Sequence, residues 1–108
     1  MALPIQLSFH QMERSDALER AIAHRTERLG RYRPAITSVH ISVTRERRQG
    51  EQEPQFNVRL DLYIKERSFA ISQRGEHDAL VAARAAFDAA ERVLEEELDT
   101  ARGFVKLF

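Results

Sequence analysis

The 108-residue chain contains no cysteine. Disulfides and thiolate zinc sites are excluded, and nothing points to an oxidising compartment. No apolar run approaches the ~20 residues a membrane span needs. The opening, MALPIQLSFHQ, lacks the basic start and long apolar stretch of a signal peptide. The four glycines build no phosphate-cradling loop. Net charge is also missing, because 17 basic side chains balance 17 acidic ones. What is present, 43% hydrophobic and 31% charged residues, is ordinary globular composition. This length supports one sheet-and-helix core but not two. The expectation is a soluble, cytoplasmic single domain over residues 1–108, with no membrane partner.

Chemistry-bearing residues are equally sparse. There is no cysteine nucleophile, and His10, His24, His40 and His77 show no metal-ligand spacing such as HExxH. His10 and His40 fall on strands that can lie side by side, but a metal centre needs three or four ligands with support behind them. The sequence therefore predicts no enzyme: no catalytic residue, metal, cofactor or small-molecule substrate.

Although charge sums to zero, it is polarised. Residues 1–74 hold 13 basic and 9 acidic side chains, and residues 75–108 hold 4 and 8. Fifteen of the 17 basic residues are arginine, the better side chain for bidentate phosphate contacts. Such asymmetry suggests a partner surface.

Ile5, Leu7 and Phe9 alternate with polar residues, the period of a half-buried strand. Ser15 caps a helix with Asp16 and Glu19 in its first turn; Leu18, Ala21, Ile22 and Leu29 share one face, and Gly30 closes it. Val39, Ile41 and Val43 mark a second strand, followed by the solvated loop RERRQGEQEP. Phe56 to Ile64 alternates without a break, a KER turn leads to a strand with Phe69 and Ile71, and Gly75 ends it. Residues 77–102 read as the longest helix, with a stripe of Leu80, Ala83, Phe87, Ala90, Leu94, Leu98 and Ala101. Gly103 marks its stop before a short apolar tail, 103–108. The order β-α-β-β-β-α predicts an α+β two-layer sandwich: a four-stranded mixed sheet, first two strands parallel, both helices on one face.

In that order, SDALERAIAHRTERLGRY, ITSVHISV and FAISQRGEHDALVAARAAFDAAERVL resemble the first helix, second strand and last strand–turn–helix of the ribosome hibernation promoting factor family, also called ribosome-associated inhibitor proteins. The resemblance covers about residues 5–94. It implies a small-subunit binder that occupies the channel for mRNA and tRNA and silences translation under stress. Arg25, Arg28 and Arg92 match basic positions of the family, and Asp88 a frequent Asp. The departure is LEEELD at 94–99, where the family places exposed lysines.

The first helix also argues for itself. On a helical wheel, Arg20, His24, Arg28 and Arg31 fall within about 80° of one another. They form a basic stripe, extended by Arg33, that can neutralise phosphates without reading bases. Arg25 instead falls at the centre of the apolar face; its stem can lie along the sheet while the guanidinium snorkels to the edge, in a structural or an RNA-contacting role. Arg45, Arg47 and Arg48 in the long loop are further candidates. So is Lys65 on the open sheet face with His10, His40, Asn57, Arg59, Asp61 and Tyr63. Tyr63 either stacks on a base or forms a cross-strand pair. On the second helix, Asp88–Arg92 and Arg92–Glu96 are spaced for ion pairs on an outward arc that also holds Arg84, Glu91, Glu95, Glu96 and Asp99.

The expected partner is the small ribosomal subunit through its rRNA, with the basic row held away from the carboxylates of the second helix. The alternative is a protein-interaction module on the same fold, using Glu95, Glu96 and Asp99 or the tail residues Phe104 and Phe108, the latter also a route to a homodimer. A positive band joining the first helix to the 45–48 loop favours RNA; separate small patches favour a protein partner. A double-stranded RNA binder of αβββα order is a third reading, weakened by the extra first strand and the acidic last helix.

Overall fold

The computed structural model describes residues 4–32, 35–47, 49–50, 52–65 and 67–106, with side chains described as far as Glu97. Six main elements follow in the expected order: β1 (Ile5–His10), α1 (Asp16–Leu29), β2 (Ile36–Glu46), β3 (Gln55–Ile64), β4 (Arg67–Glu76) and α2 (Ala79–Lys106). The sheet order is β1-β2-β3-β4. β1 pairs with β2 in parallel, Ile5 opposite Val39 and His10 opposite Thr44. The other two pairings are antiparallel.

Alternation sets the two faces of the sheet. Val39, Ile41, Val43, Val58, Leu60, Leu62 and Ile71 are buried on one side. They form a single core with Leu18, Ile22 and Leu29 of α1 and Ala82, Ala83, Ala86, Phe87, Ala90 and Leu94 of α2. Both helices therefore cover the same face, and the alanines let α2 lie close to the strands. The N-terminus of α1 is fixed as its sequence dictates: the Ser15 hydroxyl accepts from the Leu18 amide at 3.2 Å. Asp78 does the same for α2, accepting from the Leu80 amide at 2.9 Å.

The glycines behave differently from their sequence reading. Gly30 does cap the C-terminus of α1, but right-handed, φ −57°, and the chain tightens into a 3₁₀ turn at Gly30–Tyr32 instead of a left-handed cap. Gly75 does not end β4. It sits at φ +80° inside the strand, where the β3–β4 register shifts between Phe56 and Val58 and the Asn57 side chain accepts from the Gly75 amide at 3.1 Å. It supplies the bulge that lets β4 run on to Glu76. Gly103 does not stop α2, whose backbone continues to Lys106. A helical glycine costs roughly 1 kcal/mol relative to alanine but still donates its hydrogen bond. Lys65 lies in the β3–β4 turn, its amide donating to the Ala35 carbonyl at 3.3 Å, and not on the open face.

The register also orients the helices. β1 ends beside the end of β2, so α1 starts at that end of the sheet and runs back to the start of β2. α2 begins after β4, which runs the same way as β2, so the two helices point in the same direction.

Candidate nucleic-acid interface

Because the helices run in the same direction, residues spaced by about one turn on α1 meet residues spaced by about one turn on α2. Arg25, Arg28 and Arg31 thereby face Asp88, Glu91 and Glu95. Arg25 Nη2 donates to Asp88 Oδ1 at 2.6 Å and to Glu91 Oε2 at 2.7 Å. Arg28 Nη2 reaches Glu91 at 3.4 Å, and Arg31 Nη2 donates to Glu91 Oε1 at 3.2 Å. Glu91 thus gathers three guanidinium groups. Its side chain is 10% exposed, as is that of Arg25, whereas Arg28 and Arg31 are 47% and 55% exposed.

Tyr32 closes the lower end of this seam. Its hydroxyl accepts from Arg31 Nη2 at 3.0 Å and donates to Glu95 Oε1 at 3.0 Å. Arg31 also lies over the Tyr32 ring, 5.0 Å from its centroid. Burial pushes the Tyr32 phenol above its ordinary pKa; the Arg31 hydrogen bond opposes that shift and the Glu95 bond adds to it. For Arg25, burial works against the charge, but the hydrogen bonds to Asp88 and Glu91 outweigh it and raise its pKa.

Several sequence expectations are corrected here. Arg25 does not snorkel to the sheet edge; its guanidinium turns to α2, over the Phe87 ring at 5.6 Å, and is buried between the helices. Glu91 is buried and not outward, and Asp88 pairs with Arg25 instead of Arg92. The basic row is not held away from the closing carboxylates: three of them meet Arg25, Arg28 and Arg31. The physical reason is that Glu91 lies on the apolar side of α2 beside Phe87 and Leu94, as Arg25 does on α1. Neither can leave its partner inside the seam without an unpaired charge. The sequence carries only part of this signal: acids at 88, 91 and 95, like basic residues at 25, 28 and 31, recur about one helical turn apart, but that does not say which acid meets which base.

Arg20 and His24 continue the outer side of α1 toward its start; both are exposed, and neither contacts a carboxylate among the described residues. Arg92, Glu95 and Glu96 are exposed on α2. Arg45 is exposed at the end of β2, and Arg47 donates to the Gln52 carbonyl at 3.2 Å. These two sit at the N-terminal ends of the helices, about 20 Å along α1 from Arg28 and Arg31. Arg45 and Arg47 therefore form a patch separate from Arg28 and Arg31, with Arg20 and His24 lying between along α1. Arg33, Arg48 and the side chains of Asp99, Phe104 and Phe108 lie outside the described residues.

On the open sheet face, Tyr63 takes the cross-strand option, its ring 4.9 Å from that of His40. Arg59 is held by Asp61 at 3.1 Å. His10 pairs with Thr44 and His40 with Gln6, so the two histidines are about 13 Å apart along the sheet and not neighbours. A shallow polar depression runs across Ser42, Thr44, Asn57, Arg59, Ser72 and Arg74. No helix among the described residues is long and apolar enough to cross a membrane.

With this arrangement in view, comparison with known families is decisive. The family model described as Sigma 54 modulation protein / S30EA ribosomal protein matches residues 5–102. The chain belongs to that family. The resemblance to ribosome hibernation factors read from the sequence stands. The fold agrees: a ribosomal subunit interface protein from Coxiella burnetii superposes with a TM-score of 0.70 at 15% identity, over 90% of this chain and 99% of that one. The Thermus thermophilus Protein Y N-terminal domain gives 0.64 at 17% identity, over 89% and 98%. A comparison with curated protein sequences gives no match. Within the acidic run Glu95–Glu97 of this chain, Glu95 is spent on Tyr32 and Arg31 and Glu97 on Arg67 of β4.

Proposed function

We propose that this S30EA-family chain is a cytoplasmic, ribosome-associated silencer of translation under stress, binding small-subunit rRNA by occupancy. Family membership supports ribosome association. The observation that carries the rRNA reading is the exposed row Arg20, His24, Arg28 and Arg31 along the outer side of α1. Guanidinium and imidazole groups one turn apart suit a phosphate backbone, and A-form RNA is read mainly by shape and backbone. Lys65, at the same end of the molecule as Arg31, and Arg92 on α2 are secondary contacts in this reading. Occupancy needs no catalytic group.

Co-sedimentation with purified small subunits tests it. Charge reversal by Arg28→Glu with Arg31→Glu removes the chain from the subunit peak. Unchanged co-sedimentation takes the row out of the interface.

A second reading has observations of its own: Arg45 and Arg47 form a patch separate from Arg28 and Arg31, those two arginines are partly neutralised, and Glu95 and Glu96 are exposed beside them. A basic protein segment docking on the α2 carboxylates fits that surface. Loss of subunit binding on replacing Glu95 and Glu96, with Arg28 and Arg31 intact, identifies this case.

A further inference from the structure

Arg31 is the most contested side chain of the row. A single nitrogen, Nη2, faces Tyr32 Oη at 3.0 Å, Glu91 Oε1 at 3.2 Å and Glu95 Oε1 at 3.7 Å. Nη2 carries two protons, so all three acceptors cannot be satisfied together. The 3.7 Å approach of Glu95 is beyond hydrogen-bond length and is the loosest of the three; the same Oε1 is held instead by the Tyr32 hydroxyl, which donates to it at 3.0 Å. Glu95 is also 56% exposed, whereas Glu91 is 10% exposed.

We propose that Glu95, held at ion-pair distance from the Arg31 guanidinium by the Tyr32 hydroxyl, is an internal stand-in for a phosphate in the free protein and swings away, giving up the Tyr32 bond, when RNA docks on this end of the helical layer. The inference rests on the rRNA-binding reading above and names its regulation. A carboxylate presents the same paired acceptor oxygens to a guanidinium that a phosphate does, so the two compete for one geometry. Glu91 plays the opposite part. It is buried, binds Arg25, Arg28 and Arg31 together, and holds the row in place so that little ordering entropy is lost on docking. One carboxylate positions the row and the next one competes for it. The competition weakens the chain's hold on isolated phosphates and favours surfaces dense enough in phosphate to displace Glu95.

Glu96 is the internal control: it has the same charge, is exposed one residue further on, and makes no hydrogen bond or ion pair with α1 among the described residues. The experiment measures binding of the full chain to a fluorescein-labelled A-form RNA hairpin by anisotropy, with parallel co-sedimentation on small subunits. Glu95→Gln is expected to bind the hairpin roughly two- to fivefold more tightly than the wild type, the scale of one exposed ion pair. Glu96→Gln gives a smaller gain, and in an Arg31→Gln background the advantage of Glu95→Gln disappears. Equal gains from Glu95→Gln and Glu96→Gln overturn the proposal, because net charge alone then explains them. So do a persistent gain without Arg31, no gain, and no hairpin binding by any variant. Failure of the wild type to sediment with subunits overturns the rRNA reading instead, while a hairpin difference between the two glutamine variants still upholds the exchange at Arg31.

Discussion

Arg25 and Glu91 meet at 2.7 Å between the two helices, each on the apolar side of its own helix and each almost closed off from water. An ion pair so placed tolerates the loss of both partners far better than the loss of one. Glu91→Leu alone leaves the Arg25 charge without its buried partner and is expected to cost about 3–5 kcal/mol. Arg25→Met with Glu91→Leu restores most of that stability. Urea unfolding midpoints of the two single variants and the double variant check it; additive losses contradict the pairing.

Tyr32 gives the seam a signature at alkaline pH. Its pKa is raised by folding, mainly by burial. A raised folded value means the contribution is complete below the unfolded pKa of about 10 and is lost as pH climbs through the folded one. The phenolate absorbance of Tyr32 is therefore expected to appear above pH ~10, and stability to fall over the same range. Tyr32→Phe removes two hydrogen bonds, costs roughly 0.5–1.5 kcal/mol for each at neutral pH, and flattens the alkaline fall. An ultraviolet titration alongside unfolding curves checks both.

Two glycines separate backbone strain from packing. A Cβ at Gly75 meets only the Gln55 side chain, at 3.8 Å, yet φ is +80°. Gly75→Ala is expected to cost about 1–2 kcal/mol through the backbone alone. A Cβ at Gly30 meets nothing within 4 Å, and φ there is −57°. Gly30→Ala is expected to stabilise by about 0.4–1 kcal/mol. Thermal melts of both variants decide it, and the reverse order contradicts the geometry.

What could be read in advance follows from what periodicity records. Alternation at Val39–Val43 and Phe56–Ile64 reports which side of a strand is apolar, and that was enough for the sheet and its two covering helices. Ser15 marked the start of α1 because capping is local. Glu91 was not legible in the same way. Its position on the wheel shows an acid beside an apolar stripe, but which partner neutralises it depends on how two helices are aligned, with Arg25 and Glu91 66 positions apart in the chain. The α1 row was visible for the same reason that its neutralisation was not: spacing within one helix is a sequence property, and contact between helices is a property of the fold. Gly75 is ambiguous in the sequence, since a bulge and a strand end both call for a positive φ.

The most direct test is the salt dependence of binding to purified small subunits, measured for the wild type and for Arg28→Gln with Arg31→Gln. If the row neutralises rRNA phosphates, log affinity of the wild type falls linearly with log salt, and the double variant has both weaker binding and a slope shallower by about 1–2. Equal slopes, with or without equal affinities, would mean that these two guanidinium groups do not meet phosphate, and the account of α1 as an rRNA-binding surface would be wrong.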